Sequence, residues 1–98
     1  MTIEKSINNE TLILKPVGRL DTTTAPELDS EVKASIAGIS DLTFDMGELV
    51  YISSAGLRVL LSSQKIMNKQ GSMKLTNVKP EIMEILEVTG FVDILTIK

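Results

Sequence analysis

Residues 42–78 read LTFDMGELVYISSAGLRVLLSSQKIMNKQGSMKLTNV, and the fold turns on how this stretch is parsed. It opens with Leu42 to Met46 and closes with Met73 to Val78, two short, apolar-rich and partly alternating runs with the pattern of strands. Between them Leu57, Leu60, Leu61, Gln64 and Met67 recur on one helical face, while Arg58, Lys65 and Lys69 lie mostly outside it. The spacing predicts a helix over 54–70. Gly71 follows it at the place where a left-handed residue ends a helix without steric cost. Strand, helix, strand in this order favours a right-handed crossover between parallel strands, which puts the chain among α/β folds.

The flanking sequence extends the same pattern. Leu28, Val32 and Ile36 fall at i, i+4 and i+8, with Glu27, Asp29, Glu31 and Lys33 on other faces, so a first helix is expected near 24–37. Pro26 sits in its first turn, and Gly38 follows it. Ile82, Ile85 and Leu86, opened by Pro80 and followed by Gly90, predict a third helix near 80–89. Ile3 to Ile7, Leu12 to Val17 and Val92 to Ile97 complete a set of five strands, the first two pairing as a hairpin through Asn8-Asn9. The expected architecture is a mixed sheet of about five strands with three main helices, forming one domain over residues 1–98. Pro16 is the awkward residue, because it cannot donate within a central ladder, and it calls for a bulge or an edge.

Composition removes whole classes of function. The chain has 98 residues, is 43% hydrophobic, and carries 10 basic against 13 acidic side chains with no Cys and no His. The apolar fraction supplies a core for one small domain. Without thiol or imidazole there is no Cys/His zinc site, no disulfide and no nucleophile–His catalysis, which leaves only carboxylates, lysines and hydroxyls for chemistry; the expectation is a binding module and not an enzyme, with no metal and no cofactor. Net charge of −3 and only Tyr51, Phe44 and Phe91 as aromatics give no footprint for DNA or RNA. The longest apolar run, Leu49 to Ile52, falls far short of the ~20 residues that span a bilayer. The opening MTIEKSINNE lacks a signal-peptide apolar region, which points to the cytoplasm.

In a crossover fold, ligands and chemistry collect where the parallel strands end and the next helices begin. Three polar segments belong there: Gly18 to Thr24, Ser53-Ser54, and Asn77-Val78-Lys79. Ser53-Ser54-Ala55-Gly56-Leu57-Arg58 is the densest. A serine at a helix start is most often an N-cap. Yet Gly56, inside the helix, costs about 1 kcal/mol relative to Ala, which implies a close approach to its backbone. A regulated hydroxyl is the sharper alternative, since a phosphate at a helix start meets free N–H groups and the positive end of the dipole. Asp21 fits either a docking site beside Ser54 or a turn that binds the N–H groups of Thr22 to Thr24. Asp45 lacks the acidic pair and metal of a phosphoaspartate receiver, and a hydrolase built on Asp21 and Asp45 lacks an evident pocket. Arg58 is one helical turn from Ser54 and within reach of the same partner.

Gly18-Arg19-Leu20-Asp21 with its threonines, Leu42 to Met46, Ser53-Ser54-Ala55-Gly56-Leu57, Lys74-Leu75 with Asn77, and Thr89-Gly90-Phe91 together resemble the STAS-domain anti-sigma-factor antagonists, in that family's order and over nearly the whole chain. The resemblance implies a STAS-like sheet and a switch that binds an anti-sigma factor with serine kinase activity, releases a sigma factor and so regulates transcription, with a cognate phosphatase as a further partner. The family's phosphorylated serine precedes x-Gly-Leu, which matches Ser54. Well-known members carry Asp where this chain has Ser53, though an Ile-Ser-Ser-Ala-Gly-Leu form also occurs, so Ser53 stays open as the modified residue. Asp21, Thr22, Thr23, Ser53, Ser54, Gly56 and Arg58 are the expected partner-binding residues. The alternative within the same resemblance is an adaptor subunit of a transport or lipid-trafficking assembly, in which Ser54 is only a cap.

Overall fold

In the computed structural model, which describes residues 1–98, Asn9 adopts φ 59° and turns the chain between β1 (Thr2–Asn8) and β2 (Thr11–Leu20). Asn tolerates that left-handed conformation better than most residues, so the expected hairpin forms, with its turn at Asn9-Glu10, one residue later than Asn8-Asn9 because Asn8 still pairs with Thr11. β1 and β2 pair antiparallel from Thr2↔Val17 to Asn8↔Thr11. β2 is the central strand. Its first half pairs in parallel with β3 (Asp41–Asp45), from Thr11↔Asp41 to Leu14↔Phe44. Its second half pairs in parallel with β4 (Leu49–Ile52), from Gly18↔Leu49 to Leu20↔Ile52. β3 and β4 thus lie end to end along one side of β2, and the turn at Met46–Glu48 can join two strands of the same direction without a crossover. Pro16 falls between the two parallel ladders, where no bond from a parallel neighbour is required, and the register shifts just beyond it, between Gly18 and Arg19.

β5 (Ser72–Thr76) pairs in parallel with the other side of β3, from Asp41↔Ser72 to Asp45↔Thr76. The sheet therefore has five strands, but not the five expected. Leu49 to Ile52, read only as an apolar run, is a strand, while Val92 to Ile97 is not. Gly90, at φ 80°, leads instead into a 3-10 turn over Phe91–Asp93. The end of the chain keeps one parallel bridge, Leu75↔Ile97, with Leu75 N–H donating to the Thr96 carbonyl at 2.9 Å.

Three helices cover one face of this sheet: α1 (Ala25–Ser35), α2 (Ser54–Gln70) and α3 (Pro80–Val88). Register places Leu12, Leu42 and Met73 in one cross-strand row and Leu14, Phe44 and Leu75 in the next, all buried. Against them pack Leu28 and Val32 from α1, Leu57, Leu60 and Met67 from α2, and Ile82 and Leu86 from α3. Each such side chain is worth roughly 1.5–3 kcal/mol when fully buried. Gly38 is left-handed as expected of a helix terminator, at φ 78°, but Gly71 is not: its φ of 171° is ordinary extended backbone. A Cβ on Gly71 would lie 2.0 Å from the Ser40 carbonyl oxygen, so the glycine is there for proximity and not for handedness. No helix is long and apolar enough to cross a membrane.

Candidate functional site

The β2–β4 ladder fixes the site. Leu20 pairs with Ile52, and Ser53 N–H donates to the Leu20 carbonyl at 2.9 Å, so the chain leaving β2 and the chain leaving β4 part side by side. This brings Asp21, Thr22 and Thr23 next to Ser53 and Ser54, thirty residues on in sequence.

The turn after β2 is built by Asp21. Its Oδ1 accepts from Thr23 N–H at 3.0 Å and from Thr24 N–H at 3.1 Å. The Thr24 hydroxyl accepts from Asp21 N–H at 2.8 Å and donates to the Arg19 carbonyl at 2.7 Å. Those bonds, led by the Thr24 amide, hold the Asp21 carboxyl below the usual carboxylate range, with Arg19 adding a smaller effect. Thr22 and Thr23 remain exposed. Asp21 therefore serves as a turn residue, and its half-exposed carboxylate stands at the rim of the serine pair.

The two serines are not equivalent. Ser53 is the N-cap of α2, its Oγ accepting from Gly56 N–H at 3.5 Å. Ser54 is the first helical residue, exposed, and its hydroxyl has no hydrogen-bond partner in the chain. The close approach predicted at Gly56 comes from inside the molecule. A Cβ there would lie 2.7 Å from Leu20 Cγ and 2.9 Å from Ile52 Cγ1, and Gly56 is buried, so its part is to let α2 settle on the ends of β2 and β4. Arg58 is exposed one turn above Ser54. Beside the serine pair runs a groove of about 410 Å³ between α1 and α2, with Thr22, Pro26 and Asp29 on one wall and Ala55, Arg58 and Ser62 on the other.

Arg19 and Tyr51 are part of this surface, although the sequence places Arg19 only within the Gly18-Arg19-Leu20-Asp21 motif and assigns neither residue to the partner-binding set. They are register partners at the ends of β2 and β4, the Arg19 guanidinium carbon lies 4.2 Å from the Tyr51 ring centroid, and its Nε is 3.8 Å from Asp21 Oδ2. A cation and an aromatic at two strand ends that share an edge is the signal that would have found them.

Asp45 anchors a separate corner. Its Oδ1 accepts from Asn77 Nδ2 at 3.0 Å and from Gly47 N–H at 3.0 Å, and these bonds, Asn77 first, hold its carboxyl below the usual range. With Asp21 and Asp45 both lowered, neither has the raised pKa of a general acid, which argues against a carboxylate-pair hydrolase. Asn77 is itself left-handed at φ 56°. Asn77→Gly keeps that conformation and loses the carboxylate bond, an expected loss of about 1 kcal/mol; Asn77→Ala adds roughly 1–2 kcal/mol of backbone strain, and urea unfolding of the two variants separates the effects. Because Asp45 is stabilised as the anion, its contribution is present above its unfolded pKa near 3.8 and lost as pH falls through the lower folded value. The stability difference between wild type and Asp45→Asn should therefore shrink as urea titrations are moved from neutral pH to below pH 3.8.

Fold and site together define a small α/β domain with a polar, serine-bearing edge. The family model of the STAS domain matches residues 2–98, and the chain belongs to that family. A Bordetella bronchiseptica protein assigned as the anti-sigma factor antagonist BtrV is 38% identical over 79 residues, spanning 79% of this chain and 68% of that one. The anti-sigma-B factor antagonist of Bacillus subtilis is 26% identical over 98 residues, or 99% of this chain and 90% of its own. An anti-sigma factor antagonist of Mycobacterium paratuberculosis superposes with TM-score 0.88 at 20% identity, covering 98% and 83% of the two chains. Bacillus SpoIIAA in its phosphorylated form gives TM-score 0.77 at 15% identity over 99% and 91%. A sulfate transporter family protein of Wolinella succinogenes gives 0.78 at 20% over 93% and 75%. At these identities the structural matches establish the fold alone.

Proposed function

We propose that this protein is an anti-sigma factor antagonist that works as a phosphorylatable switch in the cytoplasm. Unmodified, it docks on an anti-sigma factor with serine kinase activity and so releases a sigma factor; modified at Ser54, it lets go. The observation that carries this reading is the exposed, unbonded Ser54 hydroxyl beside the Asp21–Thr23 turn, in a chain 38% identical to a protein assigned as such an antagonist. The role is that of a substrate. No His is present and no base bonds Ser54, so the partner supplies ATP, Mg²⁺ and the base. Ser54 Oγ attacks the γ-phosphorus, ADP leaves with the bridging oxygen, and the hydroxyl proton passes to the kinase's base; a phosphatase returns serine and inorganic phosphate by hydrolysis.

Modification adds about −1.5 to −2 charges and three acceptor oxygens to a surface that must be desolvated on docking. Intact mass and peptide mapping after incubation with candidate anti-sigma kinases and Mg-ATP test the reading. One phosphate on Ser54 is expected. Modification at Ser53 overturns the residue assignment, no modification overturns the switch, and capture of a transporter subunit in place of a kinase favours the adaptor role.

A further inference from the structure

α2 concentrates charge of one sign. Three of the chain's 10 basic side chains, Arg58, Lys65 and Lys69, are on it, and none of its 13 acidic ones. At 3.6 residues per turn, Lys65 and Lys69 fall within about 20° of Arg58 around the helix axis, and Ser54 within about 40°. The three cations form one stripe running up from the serine, all exposed. The chain's ion pairs engage Lys5, Arg19, Lys33 and Lys74, and none of the stripe cations. The one acid of α1 that lines the groove beside Arg58, Asp29, is already taken by Lys33 at 2.8 Å.

The arrangement works against the free helix. Lys65 and Lys69 repel at i, i+4, and α2 has no acidic residue in its first turn, where α1 has Glu27 and α3 has Glu81. The stripe is also not purely polar. Partly exposed Leu61 and Ile66 flank it on either side, and with Arg58, Ser62, Lys65 and Lys69 they line a shallow groove of about 360 Å³.

We propose that this outer face of α2 is a docking strip for an acidic segment of a partner protein, with carboxylates that meet Arg58, Lys65 and Lys69 and apolar side chains that cover Leu61 and Ile66. Charge complementarity selects the occupant. Three cations without a single aromatic on the stripe make a poor platform for nucleic acid, and two half-covered aliphatic side chains give little for a lipid surface to bury. The strip goes beyond the switch reading and does not depend on modification of Ser54.

The test titrates the isotope-labelled full chain, by NMR, with a synthetic peptide alternating Glu and Leu and with one of equal charge alternating Glu and Ser. Amide shifts are expected over residues 58–70. The Glu–Leu peptide should bind roughly fivefold tighter, because two aliphatic side chains are further buried. Lys65→Glu/Lys69→Glu, at two exposed positions that leave the core intact, should weaken binding roughly tenfold or more and flatten its salt dependence. Unchanged binding by that variant, shifts mapping elsewhere, or tighter binding to oligothymidylate or phosphatidylserine vesicles would each overturn the strip. Phosphate uptake at Ser54 is read separately, so its failure would touch the switch and leave the strip standing.

Discussion

Ser54→Asp is expected to weaken docking on the anti-sigma partner between ten- and a hundredfold, and authentic phosphate at least as much, while Ser54→Ala binds like wild type and stays bound in the presence of ATP. About 2.7 kcal/mol lost from an interface corresponds to a hundredfold in Kd. A buried, unmatched charge supplies that order of penalty, and the doubly charged phosphate exceeds Asp. Folding does not confound the result. The cap of α2 is Ser53, so removing the Ser54 hydroxyl leaves the cap bond intact. An acidic residue at the first helical position also suits the helix dipole by about 0.3–1 kcal/mol, so the Asp variant should be no less stable than wild type. Ser53→Ala is the contrasting variant, expected to lower stability by up to about 1 kcal/mol and to remain a kinase substrate. Calorimetric titration of the partner with each variant, beside thermal melts, separates these outcomes; an Asp variant with wild-type affinity would remove the switch.

Much of this was legible because periodicity and punctuation agreed. Pro26 and Pro80 stand at helix starts, Asn9 at the hairpin, and the bounds read for 54–70 are those of α2, although Leu61, expected on the core face, is partly exposed and Val59 and Ser63 are buried beside Leu57, Leu60, Gln64 and Met67. What escaped is what depends on partners distant in sequence. Leu49 to Ile52 is only four residues long and becomes a strand because β2, at ten residues, outruns β3 and offers its second half to a new neighbour. Val92 to Ile97 is apolar enough for a strand, but the left-handed Gly90 turns the chain into a 3-10 segment first, and the chain meets β5 only at its end, where Thr96 and Lys98 bond Leu75 in a single bridge centred on Ile97. At the site, the Asp21 and Ser54 segments were expected to share an edge, and the parallel pairing of β2 with β4 gives that edge its geometry. Gly56 was rightly read as a point of close approach, yet the approaching groups are Leu20 and Ile52, core side chains whose position no local pattern announces. Arg19 stacked on Tyr51 went unread for the same reason: the pair exists only once β4 does.

The largest expected loss of stability from adding a single carbon is at Gly71. Its conformation is open to any residue, so Gly71→Ala carries no backbone strain. The obstacle is contact: the new Cβ would lie 2.0 Å from the Ser40 carbonyl oxygen, 2.6 Å from its carbon and 2.8 Å from its Cα. These are backbone atoms, and they are tied down. Ser40 N–H donates to the Glu10 carbonyl and its own carbonyl accepts from Ser72 N–H, both at 2.9 Å, while Gln70 Nε2 bonds the Ile36 and Ile39 carbonyls at 2.8 and 2.7 Å. Relief requires moving the end of α2 away from the α1–β3 loop, which disturbs the entry to both β3 and β5. We expect a loss of about 3 kcal/mol or more, at the upper end for overpacking, or a fall in Tm of roughly 12–24 °C for a domain of this size. Gly56→Ala should cost less, because the atoms it meets belong to the buried Leu20 and Ile52 side chains and not to backbone, and because Ala gains about 1 kcal/mol of helix propensity. Displacing Leu20 would nonetheless drag the Asp21 turn with it, so Gly56→Ala should weaken partner docking more than its stability loss alone implies. Gly38→Ala meets nothing within 4 Å and carries only the strain of φ 78°, about 1–2 kcal/mol. Thermal melts of the three variants should rank Gly71→Ala as the most damaging, and a Gly71→Ala protein melting within a few degrees of wild type would mean that α2 does not press against Ser40 as described.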